Sequence, residues 1–173
     1  TTPVSPHLGR ENYHLTEDLI DQTINWIDRV SVSSPEKPFF CYLPTPAVHA
    51  PHHAPREWID KFAGQFDAGW DALRGEIFQR QIELGVIPAD TELTPRPEEI
   101  VSWDEYPERY KPVASRLMEA FAGFLAHTDH HIHRLLTSLE ERGMLDNTLV
   151  FYITGDNGAS GEGTLHGAWS APS

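Results

Sequence analysis

A carboxylate and a carboxamide directly follow the most regular apolar run of the chain. The run is Thr148-Leu-Val-Phe-Tyr-Ile-Thr154, and the turn after it is Gly155-Asp-Asn-Gly158. Continuous apolar, β-branched and aromatic residues predict a buried parallel strand. Ligands bind outside the carboxyl ends of strands in open α/β sheets, and side-chain oxygens suit hard cations. Asp156 and Asn157 are therefore candidate ligands for Ca²⁺ or Mg²⁺. The same residues are also ordinary turn formers, so the tetrapeptide alone leaves both interpretations open.

Three histidines follow a second apolar run. Phe39 to Leu43 again has the pattern of a buried strand. The Pro-rich loop after this run carries His49, His52 and His53. The loop therefore presents imidazoles just beyond the predicted end of a strand.

The helix expected before that strand defines the fold class. Thr16 is a suitable N-cap, followed by two acidic residues in the first turn. Ile20, Ile24 and Ile27 then form one apolar face that extends to about Val30. A helix, a short loop and a strand in succession form half of a parallel α/β unit. We therefore expect an α/β fold with a mostly parallel sheet.

The region from 44 to 112 is irregular and rich in Pro and Trp. It contains one clear helix, from about Asp71 to Leu84, which ends at Gly85. Segments this long with little regular structure are usually functional or partly disordered. We expect the region to lie over the carboxyl edge of the sheet, where the active site would be.

The longest predicted helix spans Ser115 to Arg142 and ends at Gly143. Its apolar residues form a continuous stripe that we expect to pack on the sheet containing Tyr152. The stripe consists of Leu117, Phe121, Phe124, Leu125, Ile132, Leu135, Leu136 and Leu139.

This helix also carries a cluster of histidines and one aspartate between residues 127 and 133. His127 and His131 are four residues apart, a spacing that zinc sites use. No Glu lies between them as a catalytic base, and the sequence shows no third ligand. We therefore interpret the cluster as a solvated or packing face of the helix.

Bulk composition excludes several classes of protein. The 173 residues suffice for one domain with a core, and the net charge of −13 makes nucleic acid an improbable partner. No stretch is apolar enough to span a bilayer, so we expect no membrane association. The single cysteine, Cys41, excludes an internal disulfide, and we expect it to be a small buried hydrophobe within the strand.

Several segments in the same order resemble the type I sulfatases, most closely bacterial arylsulfatases, within the alkaline-phosphatase-like superfamily. The strand-and-loop segment from Lys37 to Pro55 and the Gly155-Asp-Asn-Gly158 turn are two of these segments. The others are Tyr13-His-Leu-Thr-Glu-Asp18, Phe66-Asp-Ala-Gly-Trp-Asp-Ala-Leu-Arg74, Gln81-Ile-Glu-Leu-Gly-Val-Ile-Pro88, Leu93-Thr-Pro-Arg-Pro97, Ala122-Gly-Phe-Leu-Ala-His-Thr-Asp129 and Leu145-Asp-Asn-Thr148.

The resemblance implies a three-layer α/β domain that cleaves small-molecule sulfate esters with a formylglycine nucleophile and Ca²⁺. Asp156 and Asn157 resemble the later pair of Ca²⁺ ligands, and Asp156 would also polarise the formylglycine hydrate. His49 resembles the histidine that hydrogen-bonds the sulfate ester and assists departure of the alcohol. His52 and His53 are expected only at the rim of the pocket.

The resemblance also implies that the nucleophile lies elsewhere. Sulfatases make formylglycine within a Cys/Ser-x-Pro-x-Arg motif, and the stretch Ser33-Ser-Pro-Glu-Lys37 only superficially matches it, with Lys in place of Arg. The two amino-terminal acidic ligands and a later lysine are not found either. We therefore expect residues 1–173 to be an internal fragment of one catalytic domain, inactive alone, whose ends give no information on its compartment.

Two other functions stay open at this point. The first is a phosphoryl hydrolase of the same superfamily, although those enzymes favour Asp-His over Asp-Asn at this turn and usually bind two zinc ions. The second is a non-catalytic α/β binding module that uses the His-rich loop.

Overall fold

The computed structural model describes residue 5 and residues 9–155, and this part of the chain is helical. Its α-helices are α1 (Leu15–Ser33), α2 (Arg56–Asp60), α3 (Gly69–Glu83) and α4 (Lys111–Glu141), with 3₁₀ turns at Glu108–Tyr110 and Leu145–Asn147. The described residues form two compact units. One contains 9–47 and 126–155, the other contains 48–125, and α4 contributes to both. None of these helices combines the length and the apolar character needed to cross a membrane.

The first helix confirms the predicted apolar face and corrects the predicted cap. Ile20 and Ile27 are buried. The N-cap is His14 rather than Thr16, because the His14 backbone is extended and its Nδ1 accepts a hydrogen bond from the Thr16 N–H, at 3.2 Å. An imidazole nitrogen thus satisfies one of the amide groups that a helix start leaves without an intrahelical partner.

An aromatic cluster organises the second unit around the start of α3. Trp70 packs edge-on against Trp103, with ring centroids 4.7 Å apart, and Tyr106 stacks on Trp103 at 5.7 Å. The carboxylate of Asp71 accepts a hydrogen bond from the Trp103 backbone N–H at 2.7 Å. Gly69 has a φ of +79°, and a Cβ there would lie 2.1 Å from the Trp103 ring. A glycine is therefore required for both the backbone conformation and the close approach.

The helix that begins this cluster matches its predicted position. The predicted helix runs from about Asp71 to Leu84 with a stop at Gly85, and α3 spans Gly69–Glu83. Gly85 has a φ of +69° and donates its N–H to the carbonyl of Ile82. The left-handed glycine at the helix end is thus confirmed.

The longest helix is also confirmed, with two differences. It starts at Lys111 rather than Ser115, because Pro112 is tolerated in a first helical turn, where its missing N–H would have no partner. Phe124 and Leu139 of the predicted apolar stripe are buried, whereas Leu125 is 45% exposed.

The predicted fold class is wrong for the part of the chain that the structure describes. We expected an α/β fold with a mostly parallel sheet, and residue 5 and residues 9–155 contain helices and no strand. The segments expected as buried strands are not paired, and their apolar side chains are open to solvent: Phe40 is 87% and Ile153 is 88% exposed. Their composition favours extended backbone, but a strand is stabilised by hydrogen bonds to a neighbouring strand, which these residues do not have within the described ranges.

Two dependent expectations fail for the same reason. Cys41 is exposed rather than buried in a strand. Tyr152 is 54% exposed and belongs to no sheet, so the apolar stripe of α4 does not pack on a sheet there.

Candidate functional site

His49 lies exposed on the loop that precedes α2. Its Nδ1 lies 2.7 Å from the carbonyl oxygen of Ala50. A carbonyl oxygen only accepts hydrogen bonds, so Nδ1 carries the proton and donates it. This contact leaves Nε2 as the ring nitrogen that can exchange a proton with a bound molecule. The next peptide bond, Ala50–Pro51, is cis.

The neighbouring histidines differ from each other in environment. His52 is half-buried and packs edge-on against Phe121, with ring centroids 5.5 Å apart, and lies near Phe124. Burial lowers the pKa of His52, and a backbone hydrogen bond with Val48 opposes this in part. An imidazole packed on phenyl rings and kept neutral acts as a packing side chain. His53, by contrast, is exposed.

The predicted metal ligands Asp156 and Asn157 lie outside the described residues. The geometry that can be described for this predicted site is that of His49 and its loop.

A second group of polar side chains occurs in the other unit. His127 of α4 is fully buried and His131 is 8% exposed. The Nε2 atoms of the two rings are 3.1 Å apart, and Oε1 of Glu17 lies 3.1 Å from Nε2 of His127. His14 also belongs to this cluster, because its ring centroid is 4.2 Å from that of His127. We call these four residues the α1–α4 histidine cluster.

Burial dominates the electrostatics of the cluster. It lowers the pKa of His127, although the nearby Glu17 carboxylate acts in the opposite direction. Burial, followed by the neighbouring His127, lowers the pKa of His131 to about 4. Both rings are therefore neutral near pH 7 and have lone pairs to offer.

The interpretation of these residues as a solvated or packing helix face agrees with the structure for His127 and His131, which are both buried. The partners missing from that prediction are His14 and Glu17, which are three residues apart at the start of α1. The sequence signal for this cluster is a histidine and a glutamate three residues apart at the start of one helix, together with histidines at i and i+4 on another.

Comparison with known proteins gives a consistent picture. The family model described as Sulfatase matches residues 2–172. An uncharacterized sulfatase of Schizosaccharomyces pombe is 36% identical over 162 residues, which cover 90% of this chain and 27% of that protein. An arylsulfatase of Klebsiella aerogenes is 31% identical over 150 residues, covering 87% and 31%. An arylsulfatase of Clostridium perfringens is 25% identical over 149 residues, covering 83% and 26%. The chain thus spans less than a third of the length of these relatives.

Proposed function

Because the chain belongs to the sulfatase family, we propose that it forms part of a longer enzyme that hydrolyses sulfate monoesters to an alcohol or phenol and sulfate. The observation that carries the proposal is the family match over residues 2–172. The arylsulfatases among its relatives support aryl sulfates as a substrate class. The activity is assigned to the longer protein, since this chain covers 31% or less of each relative.

The reaction defines what the site has to provide. Water is a poor nucleophile towards an anionic sulfate ester, so the enzyme needs an activated nucleophile. It also needs positive charge or hydrogen-bond donors near the sulfate oxygens, and an acid for the leaving oxygen. We propose that the nucleophile is a formylglycine hydrate supplied by a part of the enzyme outside this chain.

One stretch of this chain resembles the formylglycine motif, and its local structure argues against that role. Ser33 is the last residue of α1, and Lys37 closes a turn by donating its N–H to the carbonyl of Ser34 at 3.0 Å. Lys37 also stands where the motif has Arg. We therefore assign Ser33–Lys37 to a helix-ending turn.

We assign the acid role to His49. Its exposed position leaves the ring open to a substrate. The hydrogen bond from Nδ1 to the Ala50 carbonyl restrains the ring and leaves Nε2 for the substrate. In the protonated state Nε2 would donate to the leaving oxygen, whose developing negative charge it would stabilise.

The side-chain oxygens of Asp156 and Asn157 fit Ca²⁺. Asp156 offers a carboxylate and Asn157 a carboxamide oxygen, and Ca²⁺ prefers such hard oxygen ligands over the nitrogen and sulfur ligands that suit zinc. When bound, the ion would supply charge stabilisation for the sulfate group. Asp156 would contribute a carboxylate to the ion and polarise the formylglycine hydrate.

Comparing substrates and metals tests this assignment. The full-length protein is assayed with an aryl sulfate and with the matching aryl phosphate, and its metal content is measured. We expect the protein to prefer the sulfate ester and to bind about one Ca²⁺ at the Asp156 site. Asp156→Ala should lose both the sulfate ester turnover and the bound Ca²⁺. His53→Ala, which changes an exposed histidine of the same loop, is the control and should retain activity.

Two results would overturn the assignment. Preference for the phosphate together with two zinc ions would identify a phosphoryl hydrolase. Turnover of neither ester, with no Cys/Ser-x-Pro-x-Arg motif in the full-length sequence, would identify a non-catalytic binding module.

A further inference from the structure

Three side chains of the α1–α4 histidine cluster converge closely enough to bind one ion. His14, Glu17 and His127 each offer a ligand atom, and these atoms all lie within 4.8 Å of one another. We propose that they form a binding site for a divalent transition ion of the zinc class, made of residues other than the proposed Ca²⁺ ligands. The site would join the start of α1 to the middle of α4, and it does not depend on the proposed sulfatase activity.

One pair of ligand atoms has the spacing of a zinc coordination sphere. With ligand bonds of about 2.0–2.1 Å, neighbouring ligand atoms of a tetrahedral site are roughly 3.3 Å apart. Nε2 of His127 and Oε1 of Glu17 are 3.1 Å apart. The pairs with His14 are within 4.8 Å. Nδ1 of His14 accepts the Thr16 N–H in this structure, so zinc binding requires the His14 ring to release that hydrogen bond and present a lone pair to the ion. Three protein ligands leave a fourth position for water.

Proton accounting around His127 favours a cation at this place. Nη1 of Arg134 lies 2.8 Å from Nδ1 of His131. Arginine only donates hydrogen bonds, so Nδ1 of His131 accepts and its Nε2 carries the proton. That N–H faces Nε2 of His127 at 3.1 Å, and the carboxylate of Glu17 faces the same nitrogen at 3.1 Å.

The Nε2 atom of His127 cannot satisfy both neighbours. If Nε2 carries a proton, two N–H donors, those of His127 and His131, point at each other. If it carries none, its lone pair faces the lone pairs of the Glu17 carboxylate. A metal ion accepts the lone pairs of His127 and Glu17 together. His131, whose Nε2 lies 3.7 Å from Oε1 of Glu17, then serves as a hydrogen-bond donor beside the ligands. Hydrogen bonds of this kind commonly orient metal-ligating carboxylates.

The chemistry of the donors selects the class of ion. Two imidazoles and one carboxylate suit zinc and similar transition ions, whereas Ca²⁺ and Mg²⁺ prefer oxygen ligands only. The positive end of the α1 dipole opposes a cation here. The negative charge of Glu17 offsets it, and the positive charge of Arg134 is paired with Asp21 at 2.7 Å.

The test measures zinc binding directly. Full-length protein is stripped of metal, supplied with excess Ca²⁺ to fill oxygen-ligand sites, and titrated with Zn²⁺ by calorimetry. Co²⁺ is then used as a probe, because its visible absorption reports nitrogen ligation in a four-coordinate site. We expect one saturable Zn²⁺ per chain that Ca²⁺ does not displace, and a melting temperature that falls when a chelator removes it.

Matched variants assign the bound zinc to the cluster. Glu17→Gln removes the charge but keeps the shape, and His14→Asn removes the imidazole but keeps an N-cap oxygen for α1. Each should weaken Zn²⁺ binding by about 100-fold or more, since losing even a residue that only orients a ligand typically costs about 10–100-fold, and helical circular dichroism should be unchanged. His133→Ala, an exposed histidine of the same helix, should bind like the unmodified protein.

The variants also define the results that would refute the site. No saturable Zn²⁺ in the unmodified protein, or equal affinity in Glu17→Gln and His133→Ala, would overturn the proposal. In either case the four side chains would be a hydrogen-bonded polar contact between two helices. Aryl sulfate turnover is measured separately, so failure of the zinc site and failure of the sulfatase assignment are distinguishable.

Discussion

Gly123 of α4 provides the sharpest test of the packing in the second unit. A Cβ added to this residue would lie 2.8 Å from Cα and 2.9 Å from the backbone nitrogen of Ile59, and 3.0 Å from the carbonyl carbon of Trp58. The atoms it would meet belong to the backbone of α2, which cannot turn aside as a flexible side chain can. We therefore predict that Gly123→Ala destabilises the protein.

The predicted destabilisation is opposite to the effect that alanine normally has in place of glycine within a helix. Replacing glycine by alanine within a helix normally stabilises by roughly 0.5–1 kcal/mol. Forcing extra volume into a packed contact typically costs about 1–3 kcal/mol. Gly75 of α3 is the matched control, since a Cβ there meets nothing within 4 Å. Because the helix preference applies to both substitutions, the difference between them isolates the contact with α2.

Chemical denaturation of the two variants, followed by circular dichroism, measures the difference. We expect Gly75→Ala to stabilise by roughly 0.5–1 kcal/mol and Gly123→Ala to lie about 1–3 kcal/mol below it. Equal stabilisation of both variants would refute the reasoning, because it would mean that α2 moves away at no cost. A smaller unfolding slope in Gly123→Ala would indicate that α2 has already detached in the native state.

Three further predictions address other parts of the molecule. Leu139→Ala should lower the free energy of unfolding by about 2–5 kcal/mol in a denaturation experiment, because Leu139 is 4% exposed. Leu135→Ala should lower it less, because Leu135 is half-buried. The opposite order would contradict the assigned buried face of α4. In the full-length enzyme, His49→Ala should lower aryl sulfate turnover by roughly 10²–10⁴-fold. That loss should shrink for better leaving groups, whereas equal loss across the series would show that His49 only positions the sulfate. The isolated 173-residue chain should show no sulfatase activity and no micromolar Ca²⁺ binding by calorimetry, since Asp156 and Asn157 alone provide few of the six to eight oxygens that Ca²⁺ binds.

The helices are predictable because their signals are local. Apolar residues at helical spacing indicate α1, α3 and α4, and the glycines at 85 and 143 mark where the last two end. The start points are less accurate. His14 caps α1 through an imidazole nitrogen, whereas the usual preferences favour the Thr16 hydroxyl. A cap depends on one side-chain rotamer, which composition does not determine.

The sheet is not predictable from the same kind of signal. The composition of an apolar run such as 148–154 favours an extended backbone and buried side chains. Whether a sheet forms depends on a second strand in register, which is a property of distant residues. Within residues 9–155 the run has no such neighbour, and Ile153 remains 88% exposed. A local preference for extended backbone therefore does not establish a sheet.

The α1–α4 histidine cluster shows the opposite error, in which a real contact is overlooked because one element is judged alone. On α4 the pair His127 and His131 lacks a carboxylate ligand, which favours a plain helix face. The carboxylate is Glu17, 110 positions earlier in the chain, and it reaches His127 only because α1 packs against this part of α4. The predicted buried face of α1, with Ile20 and Ile27, is confirmed. Glu17 precedes Ile20 by three residues, so it lies on the same side of the helix. A polar residue beside a predicted apolar face therefore lies near the helix that packs on that face, as Glu17 lies near His127.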